Sequence, residues 1–109
     1  MNIDKSFLEK KIKKGMYFLE KEKFSEAIEI FKYLKKNDQT KIIGMLFLGV
    51  VEIKRKNNIL AKKIFYDILK IDSNHEDANL NLALIYFDEK NYEKTEYYLN
   101  QVIKINKNN

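Results

Sequence analysis

Apolar side chains recur along this chain at the three- and four-residue spacing of helices that bury one side. Ala78, Leu82, Ile85 and Tyr86 make one such series. The polar stretch "DEKN" interrupts it, and Tyr98, Leu99, Val102 and Ile103 begin the next. One segment breaks the pattern. From Ile42 to Val51, "IIGMLFLGVV", no side chain is polar. Such a run can be a membrane span, a buried strand, a buried helix or one wall of a groove. Crossing a bilayer takes about 20 apolar residues, roughly twice this length. Lys41 precedes the run, and Glu52, Lys54, Arg55 and Lys56 follow it.

The pattern repeats. Shifted by 34 residues, the chain falls into three blocks without a gap: 8–41, 42–75 and 76–109. Gly15, Gly49 and Ala83 align, as do Ala27, Ala61 and Thr95. So do Phe31, Phe65 and Leu99, and then Leu34, Ile68 and Val102. Each block reads as two helices. The small residues of the first helix should face those of the second and let the backbones approach closely. Phe18, Tyr86, Phe31, Phe65 and Leu99 should fill the wedge between neighbouring blocks. Ser6–Glu9 and Ser73–Glu76 fit the capping box at helix starts. The expected fold is therefore all-α, one domain over 1–109, six helices and no strand. The apolar run becomes the first helix of the middle block, which has a neighbour on both sides.

Composition agrees. The chain has no proline, no cysteine and three glycines among 109 residues. Sheets and hairpins need more turn residues than that. A disulfide framework and a thiolate metal site are excluded. The net charge is +5, with the first two blocks positive and the third negative. So weak a gradient suits a solvated surface better than nucleic acid. The N-terminus "MNIDKSFLEKKIKKG" lacks the apolar core of a signal peptide, so a cytoplasmic location is expected.

At this point the chain resembles a known family. Thirty-four residues, two helices, Gly/Ala and then Ala with aromatics between them is the tetratricopeptide repeat. "KGMYFLEKEKFSEAIEIFKYLKK", "LGVVEIKRKNNILAKKIFYDILKID" and "NLALIYFDEKNYEKTEYYLNQVIKIN" all look like it, so the resemblance covers 8–109. Departures stand at Lys11, Met45 and Asn79 in the tryptophan-like slot, and at Glu52 in an aromatic slot. Gln39, Ser73 and Lys107 replace the usual proline. The resemblance implies a right-handed α-solenoid whose first helices line a concave face. Its groove would be built from Ile12, Met16 and Leu19, then Ile43, Phe47 and Val50, then Leu84 and Phe87, with Lys13, Lys54, Asp77 and Asn81 on the rim. An apolar surface of that extent marks a site for a partner, although Ile3 and Phe7 offer an alternative cover from within the chain.

Some members of this family clamp the C-terminal carboxylate of chaperones with asparagines and basic residues. Here the clamp asparagines fall on Met16 and Phe47, and the basic pair on Asp77 and Asn81. An acid and a ring cannot hold a carboxylate, so such tails are not expected ligands.

Catalytic constellations are missing, so no enzyme, cofactor or catalytic residue is expected. The lone His75 lies near Asp72 and Glu76, which is too little for a metal site. Glu52 should reach Arg55 or Lys56 along its own helix. Three functions remain in order: a protein- or peptide-binding module, a self-associating unit, and an RNA-binding repeat using "KKIKKG" and "KRKNN". The tyrosines that would stack on bases lie in the acidic block, which ranks RNA last. Self-association has its own motive, because repeat arrays normally close with a polar helix. The last helix instead carries apolar side chains, and Tyr97, Tyr98, Val102 and Ile105 are the expected contacts of a homodimer. No membrane partner is expected.

Overall fold

In the computed structural model the described residues are 3–108. Met1, Asn2 and Asn109 lie outside them, and with them both ends of the expected span and the last position of the third block. Six α-helices follow one another: α1 (Lys5–Glu20), α2 (Phe24–Lys36), α3 (Lys41–Lys54), α4 (Asn58–Ile71), α5 (Glu76–Asp88) and α6 (Tyr92–Lys107). A short 3-10 turn, Asp38–Thr40, joins α2 to α3. No strand occurs among the described residues. Each helix packs chiefly on its neighbours in sequence, and α3 also touches α5.

The turn inside each helical pair is the same structure three times. Glu22, Lys56 and Lys90 adopt left-handed backbone, with φ of 59°, 64° and 62°. One residue further on, the amides of Lys23, Asn57 and Asn91 donate to the carbonyls of Phe18, Glu52 and Tyr86 at 2.8, 2.8 and 2.9 Å. These bonds close a Schellman motif and satisfy carbonyls that a helix end leaves free. Two of the three turns then cap the next helix. Asn57 and Asn91 accept from the amides of Leu60 and Lys94, whereas Lys23 has no such acceptor.

The helix starts differ from the expected capping boxes. Asp4 caps α1 by accepting from the Ser6 amide, so Ser6 is already inside the helix. His75 caps α5 through Nδ1, which accepts from the Ala78 amide at 3.1 Å. Ser73 stays in the loop, where the Asp72 carboxylate accepts from the Asn74 amide and sets the turn.

Packing explains the apolar run. Val51 is buried with Leu8, Leu19, Ala27, Ile30, Phe31 and Leu34, and Phe47 and Leu48 pack against that cluster. Met45 is buried with Ala61, Phe65, Ile68, Ala78, Leu82, Ile85 and Tyr86 in a second cluster, which Ile42, Leu46 and Ile53 join. Val50 touches both. α3 is thus the shared wall of two cores, and a helix in that place must be apolar nearly all round. Gly15 and Gly49 allow close approach, but their nearest neighbours are the rings of Phe31 and Phe65 rather than the small residues expected opposite them. A Cβ at Gly49 would sit 2.6 Å from the Phe65 ring, and one at Gly15 would enter the Phe31 ring. Gly44 brings α3 against the backbone of α2, where a Cβ would lie 2.5 Å from the Lys35 amide nitrogen. Leu99 departs from expectation: it is exposed rather than buried in a wedge between blocks.

Candidate functional site

A cavity of about 460 Å³ opens between α3 and α5. Val50 and Ile53 of α3 line one wall, and Leu84 and Ile85 of α5 the other. Lys54, Lys56, Asn58, Asn81 and Asp88 surround them. The helical spacing of α3 and α5 places these residues, because positions three and four apart share a face. The cavity is charged unevenly. Lys54 and Lys56 stand at the α3 end, and Asp88 stands on α5. The Asn81 side-chain amide donates to the Asp77 carbonyl at 2.8 Å, which ties one rim residue to another.

The expected groove residues divide. Val50 and Leu84 line the cavity together with the rim residues Lys54 and Asn81. Leu84 is 55% exposed, which leaves an aliphatic side chain open to a partner. Met16, Lys13 and Asp77 are exposed outside the cavity, and Ile12 and Ile43 are half-buried. Phe87 is 60% exposed and leans on Tyr92, with ring centroids 5.9 Å apart. Leu19 is corrected: it is buried in the first core, because α3 closes over it. Phe47 is corrected in role. Its ring stacks on Phe31 at 5.0 Å and 16° and packs against the first core, and it does not line the cavity. Asp88, expected on the groove edge in the column of Lys54, lines the cavity too. Ile53, Lys56, Asn58 and Ile85 complete the cavity beyond the expected set, and the signal for Ile53 lay in the register, since it shares a column with Phe87.

Neither Ile3 nor Phe7 covers this cavity. The Ile3 amide donates to Gln39 Oε1 at 3.0 Å, and Gln39 Nε2 donates back to the Ile3 carbonyl. Phe7 meets Tyr33 edge to face. Both residues are therefore held beside α2 and the 3-10 turn.

The residues expected to self-associate also divide. Tyr97 is exposed. Tyr98 is corrected: it turns inward, stacked on Tyr86 at 5.9 Å and tilted against Tyr66 at 6.4 Å. Val102 and Ile105 are half-buried. Leu99 and Ile103, left out of the expected contact set, are more open than either. The Tyr66 and Tyr86 hydroxyls share a hydrogen bond. Burial, and then bonding to Tyr86 and Tyr98, raises the Tyr66 pKa above the ordinary phenol value. Tyr86 is buried, stacked on Tyr98, with the ammonium groups of Lys62 and Lys94 4.9 and 5.1 Å from its ring centre, so it is not open to a stacking base.

Glu52 is buried and pairs with Arg55 at 3.4 Å, as its helical spacing suggested. No group of three or more metal-ligating side chains comes together among the described residues. No described helix is long and apolar enough to cross a membrane.

No protein-family model matches the chain. Two curated proteins are similar to it. The uncharacterized protein ycf37 of Porphyra purpurea is 36% identical over 98 residues, covering 82% of this chain and 57% of that protein. Protein O-mannosyl-transferase TMTC3 of Homo sapiens is 31% identical over 81 residues, covering 73% of this chain and 9% of that protein. The chain thus spans little more than half of the first relative and a small part of the second. Six helices packed on their neighbours, with one turn structure at the same interval three times, make this a helical-repeat protein with an open groove between its third and fifth helices.

Proposed function

We propose that this is a tetratricopeptide-type interaction module that takes an apolar segment of a partner protein between α3 and α5. The observation that carries the reading is Leu84. It is an exposed aliphatic residue on the wall of a cavity large enough for side chains, and neither Ile3 nor Phe7 lies over it. Exposed apolar surface with a polar rim is how a site for a peptide or helix is built. Lys54 and Lys56 opposite Asp88 give the groove a polarity that would orient the segment, an acidic group toward α3 and a basic one toward α5. The similarity to TMTC3 over most of this chain but a small part of that protein is compatible with a module reused inside larger proteins. The role is one of binding rather than catalysis.

The test is capture of partners from the cells the protein comes from, with the Leu84→Lys variant run beside the wild type. Loss of the captured set, with helicity and melting unchanged, supports the groove. Unchanged capture by a folded variant moves the site elsewhere.

A further inference from the structure

A second cavity, of about 400 Å³, lies against α4 and shares no residue with the first. α4 lines it with Ile59, Lys62, Lys63, Tyr66, Asp67 and Lys70, which stand three and four apart and so share one face of the helix. Tyr86 of α5 closes it. α6 reaches the same ring, with the Lys94 ammonium 5.1 Å from its centre.

The repeat does not require this face. In the columns of Ile59 and Lys63, α2 carries Ser25 and Glu29. In those of Ile59 and Lys62, α6 carries Glu93 and Glu96. A bare aliphatic side chain beside three lysines belongs to α4 alone.

Two of the four lysines around the cavity are already matched. Lys62 pairs with Glu89 at 2.9 Å, and Lys70 with Asp67 at 3.6 Å. Among the described residues no carboxylate lies within ion-pair distance of Lys63 or Lys94, and both are exposed. Ile59, one helical turn before Lys63, is 82% exposed, more than any other large apolar side chain described.

We propose that this face docks an acidic segment of a partner protein, which sets carboxylates on Lys63 and Lys94 and an aliphatic side chain on Ile59. Charge complementarity selects the occupant. A nucleic acid strand fits poorly. Asp67 and Glu89 stand among the lysines and repel phosphates, and the Tyr86 ring is taken by Tyr98 and two ammonium groups, which leaves no platform for a base. A free phosphate would leave Ile59 in water. A second copy carries the same net charge of +5, which opposes its approach. The surface is separate from the groove between α3 and α5, and its occupant is acidic rather than chiefly apolar.

The probe is a labelled octapeptide, EELEELEE, added to the full chain at low salt. Fluorescence anisotropy and amide chemical shifts report binding. Saturable binding is expected, weakening as salt rises, with shifts centred on residues 59–70 and 94. Lys63→Glu should weaken it about tenfold or more with helicity and melting unchanged, and Lys94→Glu should act in the same direction. The peptide EESEESEE should bind more weakly than EELEELEE, and Ile59→Ser should remove that difference. Leu84→Lys should leave binding intact, because that side chain lies in the other cavity. No saturable binding at low salt, unchanged affinity in Lys63→Glu, or shifts confined to the α3–α5 cavity would overturn the proposal. So would tighter binding of an oligothymidylate of equal charge, or displacement of the peptide by inorganic phosphate at matching concentration. A dimer in sedimentation that Lys63→Glu converts to monomer would also overturn it, since a second copy would then fill the face.

Discussion

Glu22, Lys56 and Lys90 occupy left-handed backbone without being glycine, and that conformation costs an L-residue about 1–2 kcal/mol. Glycine removes the cost but gains freedom in the unfolded chain, so the two effects partly offset. Lys56→Gly should therefore stabilise by about 0.5–1 kcal/mol in urea unfolding. Gly49→Ala should do the reverse, because its Cβ would press on the Phe65 ring; a loss of about 1–3 kcal/mol is expected. Caps are the other place where single residues decide. His75→Ala should cost about 1 kcal/mol, His75→Asp should keep most of the cap, and Ser73→Ala should change little. The sequence made Ser73 look like the cap because serine and glutamate stood at the right spacing. Spacing does not say which residue takes the extended conformation, and the turn set by Asp72 gives that place to His75.

Helices are where the sequence was most readable. The apolar spacing and the register gave all six elements, the shared place of α3 and the close approaches at Gly15 and Gly49. Exposure was harder to read. Leu19 and Phe87 share a column and differ because α3 covers the first, while the second meets Tyr92 and stays largely exposed; helical spacing fixes a face, not its neighbour. Phe47→Lys should accordingly lower stability by about 3–5 kcal/mol, as loss of a packed ring does, while Leu84→Lys leaves melting within experimental scatter. The tyrosine group joining α4, α5 and α6 has a pH signature. The folded Tyr66 pKa is raised, so the neutral phenol is favoured in the native state. Its contribution is full below the unfolded phenol pKa and is lost as pH rises above that value toward the folded one. Melting temperature should fall with alkalinity, starting near pH 10, the ordinary phenol pKa. Tyr66→Phe should flatten that slope.

Across the whole molecule, burial thins toward one end. α2 buries Ala27, Ile30, Phe31 and Leu34, α4 buries Ala61, Phe65 and Ile68, and α6 buries Thr95 alone. Amide exchange should follow that order, with α6 opening first and α2 among the last, since local opening is easiest where few apolar contacts must be given up. If α6 protection matched that of α2, the open-end reading would be wrong. That the last helix would leave apolar side chains open was legible in its apolar richness. Which of them stay open was not, because Tyr98 had an inward partner in Tyr86 that only the packing reveals. The packing of each helix on its sequence neighbours has a kinetic and a mechanical consequence. Contacts between near neighbours need little loop closure, so refolding should finish within about microseconds to milliseconds, the range of local-contact helical proteins. No strand or cross-link ties the two ends of the described chain together. Stretched from its termini, it should yield one hairpin after another at low force, α5–α6 first, and recover its length when the load is released.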